Sequence, residues 1–423
     1  GWAATANAFI IASYYAVVFA WVLAMTFFSF KFAGMVGDVA GASGLFASIT
    51  QTSWTVSDYS MPLAIFVALV VAWALIYYCI RDGAKSVSKI VKYTVFLPVL
   101  CLLIMALKGI SMPGGVEGLL QLFIPDLSAF ANISLWIDAI GQVFFSLSIM
   151  MAIMFAYGSF LDRDSNIAVD ALVIAFSDMA ISVLAGIVMF STMGGVGMLE
   201  SMSESGIVTA FIVYPQAIVS LTSTGWINAL FGFIFYLCLV TLAIDSAFSI
   251  VEGVATAIAD KFKLSHKKVV IGVCVAASII SLVYATKAGL AWLDIVDNWT
   301  NQYNMILIGI VECIAVGWFF ETSKILDEIN RNAKQFKMPA WWFITSVKFI
   351  APVLLTVLLS LKIYTLFAVD NGLYGGYPLW AIIVGGWCVS VLCFASGFIV
   401  KLIVGKMKKK GFVEDDLHWD DSK

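Results

Sequence analysis

Residues 136–160 read WIDAIGQVFFSLSIMMAIMFAYGSF. The stretch is long enough to cross a bilayer, and lipid leaves such a segment little choice. With no water to satisfy backbone N–H and C=O groups, it must cross as a helix. Its middle does not suit a plain lipid-facing helix. Gln142, Ser146 and Ser148 lie at depth, where a polar side chain without a partner is costly. Gln142 and Ser146 are four apart and share a helix face, while Ser148 falls off that face. Two arrangements satisfy these groups. Either the serines bond back to the preceding turn and Gln142 reaches a neighbouring helix, or the helix breaks and the groups converge on one ligand.

The rest of the chain is built the same way. It is 62% hydrophobic and 12% charged, with a mean hydropathy of +0.99. Those values describe a polytopic membrane protein and exclude a soluble domain. The net charge of −3 says little, because the distribution of charge matters more than its sum. The seven cysteines are single and sit mostly inside apolar runs. They form no metal spacing and no disulfide framework. No phosphate loop or dinucleotide fingerprint appears, no enzymatic activity is expected and no nucleic-acid partner is expected. His266 and His418 fall in charged hydrophilic segments and are expected at the surface.

Taken in order, residues 5–30 form a first span with no signal-peptide features. Residues 31–58 are rich in Gly, Ser and Thr and read as an external loop. A span over 59–80 leads to a turn carrying Arg81, Lys85, Lys89 and Lys92, which belongs on the cytoplasmic side. Helix 93–107 is followed by a polar stretch, 108–135, expected to lie across the outer surface as a short amphipathic piece. The span 167–195 places Asp178 and Ser182 four apart on one face. Residues 196–225 read as a re-entrant external lid.

In the span 226–260, TLAIDSAFSIVEG puts Asp245 in the middle of an apolar helix. An acid at that depth is either part of a structural pair with a buried donor or part of a functional site. Glu252, on the same face, reads as structural. The turn DKFKLSHKK is basic and cytoplasmic, a plain span covers 269–286, and Asp294 and Asp297 open the next helix. Helix-start acids favoured by the macrodipole are one explanation for that pair. Asn298, Trp299 and Thr300 fit a glycosylation sequon that is discounted because it overlaps the helix. A charged loop, SKILDEINRNAKQFK, precedes spans 339–366 and 377–403. The tail is basic near the membrane and acidic beyond. With about ten helices counted, every strongly basic connection falls on one side, so the C-terminus is cytoplasmic in a plasma or inner membrane.

Four strings resemble one family. GQVFFSLS, with Trp136 upstream and YGSF downstream, resembles the sixth helix of the neurotransmitter:sodium symporter family. ASYYAVVFAW resembles its third helix, TLAIDSAFSI its eighth, and EINR a cytoplasmic loop. The resemblance implies an all-α, inverted-repeat fold of the bacterial leucine transporter type, with the sixth helix unwound at its middle. It also implies that the family's first two helices are missing, that the chain is a fragment, and that those helices are needed in cis. Residues 1–107 then hold three helices of the first repeat and 136–320 the second. Residues 339–403 hold two C-terminal helices, and 404–423 a tail.

The resemblance further implies sodium-coupled symport of an amino acid by alternating access. Ile11, Tyr15, Phe145, Ser146, Ser148, Met151, Ser246 and Ile250 match the substrate pocket. Leu242, through a carbonyl freed by local distortion, would hold one sodium ion with Asp245 and Ser246. Ser146 and Asp178 would hold another, with Asp178 standing where the family usually has asparagine. Gln142, Ser146, Asp178 and Ser182 match the shell of the chloride site in chloride-dependent members, but the carboxylate at 178 argues that chloride is not required. Asp297 matches an outer gate and Asp260 an inner one. Met150, Met151 and Ala152 replace a Gly-aromatic-Gly pattern, which predicts a small to medium apolar amino acid. A non-transporting amino-acid sensor or scaffold on the same fold is the alternative.

Overall fold

The computed structural model describes residues 1–81, 84–201, 206–334 and 336–409, with the side chains of 84–89, 133, 134, 137, 138, 145, 201 and 407–409 excluded. The Phe145, Lys85 and Lys89 side chains therefore lie outside the described residues, as does the tail from 410 onward with His418.

No strand occurs among the described residues. The helices are α1 (Trp2–Phe28), α2 (Val39–Thr50), α3 (Leu63–Ile80), α4 (Ala84–Ile110), α5 (Gly115–Phe123), α6 (Ile133–Ser146), α7 (Ile153–Ser159) and α8 (Ile167–Gly195). They continue as α9 (Gly206–Ser220), α10 (Gly225–Phe262), α11 (His266–Tyr284), α12 (Gly289–Phe319), α13 (Thr322–Asn330), α14 (Ala340–Val369) and α15 (Leu379–Lys406). Nine of them, among the described residues, are long and apolar enough to cross a membrane. The pair α6 and α7 reads as a tenth, interrupted crossing.

The boundaries follow from local chemistry. The Asp38 carboxylate accepts from the Gly41 N–H and starts α2, and the Asn166 side chain does the same for Val169 at the start of α8. Pro62, Pro339 and Pro378 stand just before the first turns of α3, α14 and α15, where a missing N–H costs no helix bond. Lys263 takes a left-handed φ of 52° and closes α10, its N–H donating to the Ala259 carbonyl.

The most deeply buried span is α1. It packs along α10, with α3, α11 and α15 around it. The predicted external loop 31–58 contains a helix. Its Phe46 stacks on Phe211 of α9 with centroids 4.7 Å apart, and Trp21 of α1 meets both rings edge-on. A patch of large rings outweighs the Gly- and Ser-rich composition that made this segment look like a loop. The charged stretch after α12 likewise contains α13. The amphipathic piece expected within 108–135 is α5.

Glycines set the docking of α5 on α8. A Cβ at Gly118 would lie 2.1 Å from the Phe190 carbonyl oxygen, and one at Gly194 would lie 2.8 Å from the Gly118 Cα. Backbone meets backbone there, as between small-residue membrane helices. Gly118→Val is therefore expected to destabilise the protein by about 1–3 kcal/mol or more through overpacking. Gly44→Ala in α2, where a Cβ meets nothing within 4 Å, should be neutral or gain about 0.5–1 kcal/mol. Melting of the two variants in detergent checks the contrast.

Candidate functional site

A cavity of about 910 Å³ opens where α1, α10 and α12 face the gap between α6 and α7. The break lines it with Ser146, Ser148 and Met151, α1 with Ile11 and Tyr15, and α10 with Asp245, Ser246 and Ile250. The Tyr15 hydroxyl faces Ser246. The structure thus brings into one space every residue expected at the substrate pocket whose side chain is described.

The gap itself is an irregular turn. Ser148, Met150 and Ala152 have φ of 52°, 68° and 62°, left-handed values that cost a residue with a side chain on the order of 1 kcal/mol each. Packing holds the turn in place. The Met150 side chain leaves the cavity and lies against Ile308 of α12 and Leu355 of α14. It occupies a slot beside Gly309, where a Cβ would sit 2.3 Å from the Met150 Cε. Ala152 is buried with Ala4 and Ile308. The expected loss of pocket volume to both Met150 and Met151 is therefore corrected: only Met151 fills cavity space.

Two carboxylates stand near the break. The Ser146 hydroxyl donates to Asp178 Oδ1 at 2.6 Å, joining α6 to α8. The Thr94 hydroxyl of α4 donates to Asp245 Oδ1 at 3.1 Å. Sequence reasoning missed Thr94, although a signal was present. Pro98 lies inside α4 four residues later. Lacking an N–H, it leaves the Thr94 carbonyl without its helix donor, so both Thr94 oxygens sit at a polar spot in an apolar helix. No lysine or arginine forms an ion pair with Asp178 or Asp245 among the described residues.

One expectation here changes. The helix α10 runs unbroken through Leu242, so no distortion frees the Leu242 carbonyl, and the side-chain oxygens of Asp245 and Ser246 are what this segment offers. Of the residues matched to an anion shell, Ser146 and Asp178 are joined by a hydrogen bond, and Gln142 and Ser182 are exposed.

The far wall of the cavity belongs to α12. Neither Asp294 nor Asp297 is in its first turn, so the macrodipole does not account for them. Asp294 accepts from the Tyr374 and Tyr377 hydroxyls at 3.3 and 3.0 Å. Burial, and then the charge of Asp294, pushes both tyrosine hydroxyls above their usual range. Asp297 accepts from Asn301 Nδ2 at 2.7 Å, and the same amide reaches the Tyr14 hydroxyl at 3.4 Å. Asn298 also lines the cavity. Just beyond, Trp299–Asn304 is wound as a π-helix. The fully buried Asn7 side chain of α1 donates to the Thr300 carbonyl at 3.1 Å and accepts from Asn304 Nδ2 at 3.0 Å.

The expected inner-gate residue, Asp260, is exposed at the opposite end of α10 and does not line this cavity. Near it, His266 is not the free surface residue expected from its charged neighbourhood. Its Nε2 lies 2.9 Å from Oε1 of Glu252, which is 1% exposed and also accepts from Thr256. The turn from α10 to α11 folds the histidine back onto the acid, a contact that linear charge patterning does not reveal.

A family model described as the sodium:neurotransmitter symporter family matches residues 48–407. An uncharacterized sodium-dependent transporter of Methanocaldococcus jannaschii is 32% identical over 417 residues, covering 96% of this chain and 81% of that protein. The sodium- and chloride-dependent glycine transporter 2 of Xenopus laevis is 28% identical over 348 residues, 79% of this chain and 43% of the relative. The human sodium- and chloride-dependent neutral and basic amino acid transporter B(0+) is 28% identical over 345 residues, 77% of this chain and 52% of the relative. The matches to these two vertebrate proteins therefore span about half of each relative's length.

Asn7 is the test of the frame around the cavity. Asn7→Leu is expected to cost about 2–4 kcal/mol, because the Thr300 carbonyl and the Asn304 amide lose a buried partner. Melting of the variant should show the loss, and Asn7→Asp should recover only the bond accepted from Asn304.

Proposed function

The chain belongs to the sodium:neurotransmitter symporter family, and on that premise we propose that it carries a small to medium apolar amino acid together with sodium by alternating access. One observation carries the reading: a cavity inside the bundle gathers small hydroxyls, a tyrosine and carboxylates that form no ion pair with a lysine or arginine among the described residues. An unpaired buried carboxylate is expensive. A hard cation among oxygen ligands removes that cost. Asp245 and Ser246, with Thr94 behind them, supply one such set, and Asp178 and Ser146 supply another. Sodium enters these sets as a transported ion. Met151, Ile11 and Ile250 then form an apolar wall for the substrate side chain, and Tyr15 and Ser246 present hydroxyls to its polar end.

The reading also includes two helices ahead of α1, supplied in cis. It places them on the open flank, where Gln142, Ser182 and Ser246 are exposed at a depth that penalises uncovered polar groups. The reading puts the C-terminus in the cytoplasm of a plasma or inner membrane, supported by the lysine and arginine bias of the connections. Coupling follows if sodium favours the conformation that binds substrate from outside, so that closure and reopening carry both across.

Uptake into proteoliposomes is the test. Sodium should drive it and potassium should not, with alanine and valine competing better than tryptophan. Asp245→Ala should lose sodium-stimulated binding while melting as a folded protein. Equal substrate binding in potassium would overturn sodium coupling. Sodium-dependent binding without uptake would point to a sensor on the same fold.

Chloride is treated separately. A chloride ion beside Asp178 would face a fixed negative charge, and two such charges 4 Å apart repel by about 4 kcal/mol at an effective dielectric of about 20. We propose that Asp178 supplies the negative charge itself and that transport is chloride-independent. The vertebrate relatives carry chloride in their names, and the archaeal one carries sodium alone. Uptake in gluconate should equal uptake in chloride for wild type, whereas Asp178→Asn should come to need chloride. A wild type that stops when chloride is withdrawn refutes the counter-charge role.

A further inference from the structure

A second cavity, of about 660 Å³, runs between α1, α10 and α11, and none of its lining residues lines the transport cavity. Its walls are apolar: Phe9 from α1, Ile258 from α10, and Val269, Gly272 and Ala276 from α11. Gly272 leaves it deep, since a Cβ there would meet nothing within 4 Å. Along α11, from Lys268 to Ala276, the groove is about 12 Å long at 1.5 Å per residue, the reach of a partly straightened acyl chain.

One end of the groove is different in kind. Lys268 lines it and is exposed, with no ion-pair partner among the described residues. The same turn also carries Lys261 and the exposed Asp260. Glu252, the other nearby carboxylate, is engaged by His266. An apolar slot ending in an exposed lysine complements a molecule with a hydrocarbon tail and an anionic head. We propose that this groove is a binding site for an anionic phospholipid, with one acyl chain between α1, α10 and α11 and the phosphate at Lys268. Basic residues at the edge of a membrane span attract anionic headgroups in general; the groove adds a specific seat for the chain.

Native mass spectrometry of the complete protein in neutral detergent tests this, with palmitoyl-oleoyl phosphatidylglycerol and phosphatidylcholine supplied in equal amounts. Wild type should retain one phosphatidylglycerol with about tenfold preference. Lys268→Gln should bring the two lipids within twofold of each other, and Lys406→Gln, a basic residue elsewhere, should leave the preference intact. Gly272→Leu fills the open slot without a clash and should remove the retained lipid of either kind, while eluting and melting like wild type in lipid-free detergent. Equal retention of both lipids by wild type overturns the charge recognition. Undiminished retention by Gly272→Leu overturns the site. A lipid-free dimer that Gly272→Leu disperses assigns the groove to a second copy and also overturns the proposal.

Discussion

The backbone hydrogen bond is the constraint on which everything else in this molecule depends. In hydrocarbon every N–H and C=O must find a partner inside the protein, so the chain is a set of helices before it is anything more particular. The informative places are those where the helical ladder is interrupted and something else completes it. Between α6 and α7 the ladder stops. At Trp299–Asn304 it is rewound with a wider turn, and Asn7 reaches across from α1 to the Thr300 carbonyl. At Pro98 it loses a donor, within reach of Asp245. All three interruptions lie beside the cavity at the gap between α6 and α7, and polar groups released from helical duty are what give an apolar bundle its chemistry.

Much of this was legible in the sequence because the relevant signals are local. Runs of apolar residues mark the spans, and polar residues at depth mark Ser146, Asp178 and Asp245. The interrupted crossing was implied by the resemblance of GQVFFSLS to a known sixth helix; Gln142, Ser146 and Ser148 alone left an unbroken helix open. What was not legible depends on packing between distant segments. The helix α2 exists because Phe46 meets Phe211 and Trp21, more than a hundred residues away in one case. His266 looked like one more solvated charge until the α10–α11 turn set it on Glu252. Leu242 was expected to release its carbonyl, but α10 runs regularly through it, and Thr94 reaches Asp245 from α4.

The break shows the same division between pattern and packing. Its position follows from sequence, yet its conformation is one that glycine would adopt at little cost, and the chain has Ser148, Met150 and Ala152 there. The strain of three left-handed residues is opposed by contacts made elsewhere, among them the packing of the half-buried Met150 against α12 and α14. Consequently the geometry of the cavity floor is set by residues that never touch it.

The slot opposite Met150 also makes two distant positions answer to each other. A Cβ at Gly309 would meet the Sδ and Cε of Met150, the movable end of a flexible side chain. A larger residue there would press on the cavity floor from behind, without entering the cavity itself. Side-chain size on α12, outside the pocket, thereby becomes a way to adjust the turn that closes it.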